Sequence, residues 1–109
     1  MRERKFRAWQ IDHMVYFTLQ DLYWRGEATG EYDFPKGLPV MQYTSLKDKN
    51  SKEIYEGDIL IWHSYKGVIK YSDIHARFDW GDDPLVSGYA TRGEVIGNIH
   101  ESPELLEER

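Results

Sequence analysis

The segment from Tyr43 to Leu60, YTSLKDKNSKEIYEGDIL, constrains the fold more than any other part of this chain. A polar turn separates two stretches that contain apolar residues, and a tight turn at Glu56-Gly57-Asp58 leads into a third. Such turns between short apolar runs are typical of antiparallel strands joined by short loops. The segment therefore predicts three consecutive strands, and it contains no pattern that identifies a reaction.

Length and aromatic content favour one β-rich domain. The chain has 109 residues, of which 15% are aromatic. One hydrophobic core is expected at this size, and large rings fit the half-buried surface of a sheet better than a helix. We predict a single domain over residues 1–109, consisting of a hairpin (1–19), a variable loop (20–40), a barrel core (41–100) and a short helix (102–109).

The amino-terminal part predicts a β-hairpin followed by a long loop. Lys5–Trp9 alternates apolar and polar residues, and Met14–Phe17 is β-branched and aromatic enough to return as the second arm. Gln20–Pro39 has no sustained period and is punctuated by glycine and proline, so it is predicted as a loop, with a short strand at Leu22–Trp24. The rings of this loop are expected to pack on the barrel, or else on a partner.

The second half predicts the remaining strands of the barrel. The predicted strands are Ile59–Trp62, Val68–Tyr71, Ala76–Trp80 and one strand or two within Tyr89–Ile99. Turns are predicted at Lys66-Gly67 and at Gly81–Pro84. Ser102-Pro103-Glu104 is a typical helix start, and the helix has two turns at most because the chain ends at Arg109.

Three motifs resemble one family of small proteins. RERKFRAWQ near the amino terminus, MQYTSLKDKNSKEIYEGDIL in the centre and EVIGNIHESPELL near the carboxyl terminus are similar to the YopX protein family of phages and prophages. The resemblance implies a small intracellular protein, and it brings no catalytic residues. This chain differs from the family at one turn, where Ser51 replaces the glycine of Lys-Asn-Gly-Lys. We expect a wider or strained hairpin there, because serine resists a positive φ.

The fold expectation is therefore mostly β, with a partly open SH3-like β-barrel, an amino-terminal hairpin and a short carboxyl-terminal helix. The SH3-like part is an analogy at the level of the fold, which rests on the Gly57-Asp58 turn into an apolar strand. An α+β fold is the alternative.

The charge distribution argues against a general nucleic-acid surface. Fourteen Lys and Arg against nineteen Asp and Glu give a net charge of −5. A basic patch remains as a hypothesis at the amino terminus, and its alternative is a solvated strand with alternating side chains. The candidate residues are Arg2, Arg4, Lys5 and Arg7.

Two carboxylate clusters and four histidines are candidate sites for a metal ion or for catalysis. Glu53, Glu56 and Asp58 have the oxygen ligands that magnesium prefers, but their spacing does not make them converge. In the alternative, Asp58 binds turn amides and the glutamates face water. A second cluster, Asp79, Asp82 and Asp83, is typical of a turn. The histidines, His13, His63, His75 and His100, lie on separate segments. We predict no catalytic residue, no metal site and no cofactor.

The many aromatic residues are compatible with two classes of binding. An aromatic platform for single-stranded nucleic acid would use Tyr43, Tyr55, Trp62, Tyr65, Tyr71 and Trp80. The interleaved Lys and Arg that contact phosphates are missing, so protein contacts are favoured. The leading hypothesis is a non-enzymatic phage accessory protein that binds itself or a phage or host protein. The first alternative is a nucleic-acid-binding module, and the least favoured one is a metal-dependent phosphodiesterase.

Location is inferred from what the chain lacks. It has no cysteine, no secretory signal after its charged start, and no apolar stretch of about twenty residues that could span a membrane. We expect a cytoplasmic protein of the bacterial host.

Overall fold

The computed structural model describes residues 4–10, 12–18 and 39–106, and most of its regular structure is β-strand. The strands in these ranges are β1 (Lys5–Gln10), β2 (His13–Thr18), β3 (Val40–Lys47), β4 (Glu53–Tyr55), β5 (Asp58–Trp62), β6 (Tyr65–Ser72), β7 (Arg77–Trp80), β8 (Asp83–Pro84) and β9 (Glu94–Asn98). A short helix, α1 (Ser87–Ala90), and a 3-10 helix (Pro103–Leu106) complete them. The mostly β prediction is confirmed, and the more specific likeness to SH3-like barrels stays a prediction.

The strands form two antiparallel sheets. The first has the order β2-β1-β3-β4 and the second the order β8-β7-β6-β5-β9. The predicted amino-terminal hairpin is confirmed, with β1 and β2 paired from Lys5 opposite Thr18 to Gln10 opposite His13. β1 also pairs with β3, so it is an interior strand of the first sheet.

The three strands predicted from the central segment are present as β3, β4 and β5. The turn between β4 and β5 carries the chain from the first sheet to the second. Gly57 at this turn has φ of +85°, a conformation that a side chain would strain. Its N–H donates to the Ile69 carbonyl at 2.8 Å, and its carbonyl accepts from the Ile99 N–H at 2.9 Å. The turn is thus bonded to two other segments of the fold.

The main core lies on the second sheet and receives one side chain from β4. Trp80 is anchored in it because its indole Nε1–H donates to the Leu60 carbonyl at 2.9 Å. The remaining side chains are aliphatic, so the indole is the polar group that fixes the register of β7 on the core. The buried members of this cluster are Ile54, Leu60, Ile69, Trp80, Ala90 and Val95.

One buried carboxylate of the core region has no signal in the sequence pattern. Asp48 is 5% exposed. Its Oδ1 accepts from the N–H groups of Asn50 at 2.8 Å and Lys52 at 2.9 Å. Its Oδ2 accepts from the Val95 N–H at 2.9 Å, which ties the β3–β4 turn to β9. Asp48 therefore satisfies three backbone donors and has a structural role.

The turn predicted at Lys66-Gly67 is wrong. The chain turns at His63 and Ser64, because Trp62 pairs directly with Tyr65 and leaves a two-residue loop. Gly67 lies inside β6, where a Cβ would be 3.0 Å from the Gly81 nitrogen. The glycine permits close approach of the β7–β8 turn instead of making a turn of its own.

The strands predicted near the carboxyl terminus are partly wrong. Tyr89 and Ala90 belong to α1, and only Glu94–Asn98 forms a strand. Ala90 is fully buried, so tertiary packing favours one helical turn at this point. The short helix after Ser102 is confirmed as one turn of 3-10 helix.

Some expectations lie outside the described residues. These are the loop over residues 20–38, its short strand at Leu22–Trp24, and the part of the carboxyl-terminal helix over residues 107–109. Val40, the last residue of the predicted loop, is the first residue of β3.

The turn that departs from the family sequence is both wider and strained, as expected. The Asp48 N–H donates to the Lys52 carbonyl at 2.9 Å, and the Ser51 N–H donates to the Asp48 carbonyl at 3.0 Å. These bonds enclose a three-residue loop, which places its last residue in the left-handed region. Ser51 has φ of +64°.

We predict that Ser51→Gly stabilises the protein. Relief of the left-handed strain is worth about 1–2 kcal/mol, and the greater entropy of glycine in the unfolded chain removes about 0.4–1 kcal/mol of it. The free energy of unfolding in urea should therefore rise by about 0.5–1 kcal/mol. Ser51→Ala is the matched control, because alanine keeps the strain and should not stabilise. Equal free energies for the glycine and alanine variants would contradict this account.

Candidate functional site

Arg7 forms a buried ion pair across the two sheets. Its side chain is 3% exposed and that of Asp58 is 2% exposed. Arg7 Nη2 donates to Asp58 Oδ1 at 2.7 Å and to the Glu56 carbonyl at 3.0 Å. The guanidinium also lies over the Tyr55 ring, 4.8 Å from its centroid. The expectation that Arg7 belongs to a solvated strand face is wrong, because β1 is an interior strand and the turn after β4 covers this side chain.

Asp58 is held from two sides. Besides the guanidinium at Oδ1, its Oδ2 accepts the Tyr55 N–H at 2.8 Å. Burial raises the pKa of the Asp58 carboxyl above its usual value, while the positive charge of Arg7 and the Tyr55 N–H oppose that rise. The expectation that Asp58 binds a turn amide is confirmed. Its ion pair with Arg7, which is 51 residues away in the sequence, is not predicted by the sequence pattern.

Two of the three described basic residues of the candidate patch, Lys5 and Arg7, are paired within the protein. Lys5 Nζ pairs with Glu53 Oε2 at 2.5 Å and lies 5.5 Å from the Tyr43 ring centroid. With Arg7 buried and Arg2 outside the described residues, Arg4 is the remaining exposed member of the candidate set. Among the described candidates, two of the three positive charges on which the nucleic-acid hypothesis depended are thus neutralised by a carboxylate of the same chain.

The three carboxylates near the β4–β5 turn are separated by their contacts. Glu53 pairs with Lys5. Glu56 Oε1 accepts the Gln42 N–H at 2.8 Å, and Asp58 binds Arg7. The expectation that both glutamates face water is wrong, since both are half-buried and bonded. Within residues 4–10, 12–18 and 39–106, no group of three or more acidic or histidine side chains could hold a metal ion.

The second acidic cluster is also divided. Asp79 Oδ1 accepts from Arg77 Nε at 2.8 Å. The Asp82 N–H contacts the Tyr65 hydroxyl at 3.4 Å, and Asp83 is exposed on β8.

The four histidines lie apart, as expected. His13 contacts Asp12, and His75 contacts Ser72. His63 is in the β5–β6 turn with φ of +56°. His100 stacks on Trp9, with ring centroids 5.7 Å apart and planes at 15°.

The six aromatic residues predicted as a possible platform fall into two groups, and Tyr71 belongs to neither of them. Tyr43 and Tyr55 are buried on the first sheet, with ring centroids 5.4 Å apart. Burial and the neighbouring Glu53 raise the pKa of the Tyr55 hydroxyl, which also hydrogen-bonds Glu53 Oε1 at 3.3 Å. Tyr71 packs edge-on against Phe78 at 5.3 Å. A continuous stacking surface is therefore not formed by these six residues.

The other group forms an aromatic cleft on the second sheet. The cleft has a volume of about 330 Å³. Tyr65 is 38% exposed and Tyr89 is 40% exposed, whereas Trp80 is 3% exposed and forms the base. The aromatic cleft is lined by Trp62, Tyr65, Trp80, Asp83, Pro84 and Tyr89.

The rings of the aromatic cleft hold one another in place. Tyr65 packs edge-on against Trp80 at 4.7 Å, and its hydroxyl donates to the Trp80 carbonyl at 3.2 Å. Tyr89 lies 5.2 Å from Trp62 and 5.8 Å from Trp80. Since Trp80 is bonded to Leu60, the base of the cleft is anchored to the core.

Sequence reasoning missed Tyr89 and the place of Asp83 in this cleft. The sequence pattern predicts a strand at Tyr89 and a turn at Asp83, whereas Tyr89 lies in α1 and Asp83 in β8. No local sequence pattern shows that these residues meet Trp62, because the pairing of β5, β6 and β7 brings them together.

Within the described part of the chain, no helix is long and apolar enough to cross a membrane.

Two comparisons with known proteins, one of sequence and one of structure, find similar proteins. A family model described as YopX protein matches residues 5–107. The chain belongs to the YopX family. This YopX chain is also similar to protein EF1440 from Enterococcus faecalis, known from its crystal structure, with a TM-score of 0.58 and 30% identity over 94% of this chain and 97% of that one. No curated protein matches it.

We predict that His100 makes stability depend on pH below neutrality. Partial burial and the positive charge of Arg7 lower the pKa of His100 below the usual 6.5. The unfolded chain therefore binds a proton more readily, so the free energy of unfolding contributed by His100 is full above pH 6.5 and falls as the pH drops below it. Thermal unfolding from pH 7.5 to 5 should show this loss.

The variant His100→Gln removes the titrating group and is the comparison for this prediction. Its unfolding temperature should fall less on acidification than that of the original chain, since the carboxylates contribute equally in both. Parallel pH dependences for the two proteins would contradict the assignment.

Proposed function

We propose that this YopX protein is a non-enzymatic accessory protein, encoded by a phage or prophage, that acts in the bacterial cytoplasm through protein contacts. The aromatic cleft is its binding surface in this proposal. Its partner is a second copy of the chain or a phage or host protein.

The observation that carries the proposal is the exposure of rigid rings in the aromatic cleft. Aromatic side chains with one buried and one exposed part are the residues that protein interfaces enrich. Tyr65 and Tyr89 each keep more than a third of their surface exposed, although both pack on the core residue Trp80. A partner that covers them gains apolar burial without the cost of ordering them first.

The state of the charged groups supports a binding role over a catalytic one. The buried carboxylate Asp58 is paired with Arg7, and Asp48 is occupied by three backbone N–H groups. Groups that work in catalysis need access to a substrate and a position within hydrogen-bond reach of it. These two carboxylates instead hold strands and turns together.

The proposal is tested by affinity purification from cells that carry the phage genes, with Tyr89→Ala as the informative variant. Loss of this ring opens the rim of the cleft, and hot-spot residues of this kind weaken binding by roughly tenfold or more. A partner identified with the original chain should therefore be lost or strongly reduced with the variant. If the partner is a second copy of the chain, sedimentation velocity should show a dimer for the original chain and a monomer for Tyr89→Ala.

Tyr71→Ala is the matched control for this experiment. Tyr71 is a tyrosine of similar exposure, 44%, and it lies outside the aromatic cleft. Its variant should retain the partner. Equal capture by the Tyr89 and Tyr71 variants, or a monomer with no partner at all, would contradict the proposal.

A further inference from the structure

The aromatic cleft has the chemistry of a cation receptor. Four rings line it, and the face of an aromatic ring carries a negative potential that attracts ammonium and guanidinium groups. Asp83 adds a formal negative charge, and the described residues that line the cleft include no Lys, Arg or His. An apolar ligand would gain from the rings alone, whereas a cation gains from both the rings and the carboxylate.

The carboxylate of Asp83 is available for a ligand. The residue is exposed on the short edge strand β8, and among the described residues its carboxylate has no ion pair or hydrogen bond. The neighbouring Asp79 is paired with Arg77, so the nearest basic side chain of β7 is already occupied. Asp83 therefore differs from the buried carboxylates, each of which is bonded within the protein.

Size and long-range charge point to a side chain of a basic protein segment. A volume of about 330 Å³ is at the lower end of pockets that hold small molecules, and it suits one long side chain. The net charge of −5 attracts positively charged partners at a distance. Arginine fits better than lysine, because its planar guanidinium stacks on rings and binds a carboxylate through two hydrogen bonds.

We propose that the aromatic cleft binds the guanidinium of an arginine in a basic segment of the partner protein, with the rings of Tyr65 and Tyr89 around it and Asp83 as its counter-ion. This inference rests on the proposed function, since it names the chemistry by which the same surface recognises a partner.

The test compares two peptides of closely similar shape, only one of which carries a positive side chain. The probes are acetyl-Gly-Arg-Gly-amide and the same peptide with citrulline, which has the shape of arginine without its charge. Binding is followed by NMR shifts of the Trp62 and Trp80 indole N–H signals. The arginine peptide should bind about threefold or more tightly than the citrulline peptide, a ratio within the range of cation–π contacts. Added salt should reduce the difference.

The variants Asp83→Asn and Asp82→Asn each remove one negative charge from the protein. Comparing them shows whether Asp83 acts as the counter-ion of the bound arginine or contributes only through the net charge. Both residues are exposed and adjacent, but only Asp83 lines the aromatic cleft. The Asp83 variant should bind the arginine peptide about threefold more weakly and the citrulline peptide unchanged, whereas the Asp82 variant should match the original chain. Equal affinity for the two peptides, tighter binding of a proline-rich peptide, or no indole shifts would overturn the inference.

Failure here and failure of the proposed function give different results. If the arginine peptide does not bind but Tyr89→Ala still abolishes partner capture, the surface binds protein through another chemistry. If neither result is obtained, both proposals are rejected.

Discussion

The buried ion pair of Arg7 and Asp58 is the contact on which the arrangement of the two sheets depends. Arg7 comes from β1, an interior strand of the first sheet, and Asp58 is the first residue of β5, which is the first strand along the chain to belong to the second sheet. Removing two charges from water costs several kcal/mol for each ion, so neither residue is stable in this position without the other. The ion pair therefore fixes the position of β1, and with it the hairpin, relative to the β4–β5 turn.

Local patterns in the sequence were enough to predict much of the β-structure. Alternation in Lys5–Trp9 and Met14–Phe17 predicted the hairpin, and the turns within Tyr43–Leu60 predicted three strands. The departure at Ser51 predicted a strained loop, which the positive φ confirms. These features depend on residues that are close in the sequence, where the physical rules for turns and pleats apply directly.

The other features depend on distant residues and could not be predicted in the same way. A charged residue in an alternating strand is expected in water, and nothing near Arg7 indicates a partner 51 residues away. Gly67 suggested a turn because the close approach of Gly81 is invisible in the sequence. Tyr89 joins the aromatic cleft only through packing of α1 on the core. Arg7, Asp58 and Asp48, which carry charge and were open to a functional role, are bonded within the protein.

A double-mutant cycle on the ion pair tests the central claim most directly. Arg7→Met, Asp58→Asn and the double variant would be unfolded in urea. If the pair fixes the two sheets, each single change should cost about 3–5 kcal/mol, because it leaves the other charge buried without a partner. The double variant should then lose less than the sum, by about 0.5–3 kcal/mol. Single losses under about 1 kcal/mol that simply add, as for pairs on the surface, would contradict the account.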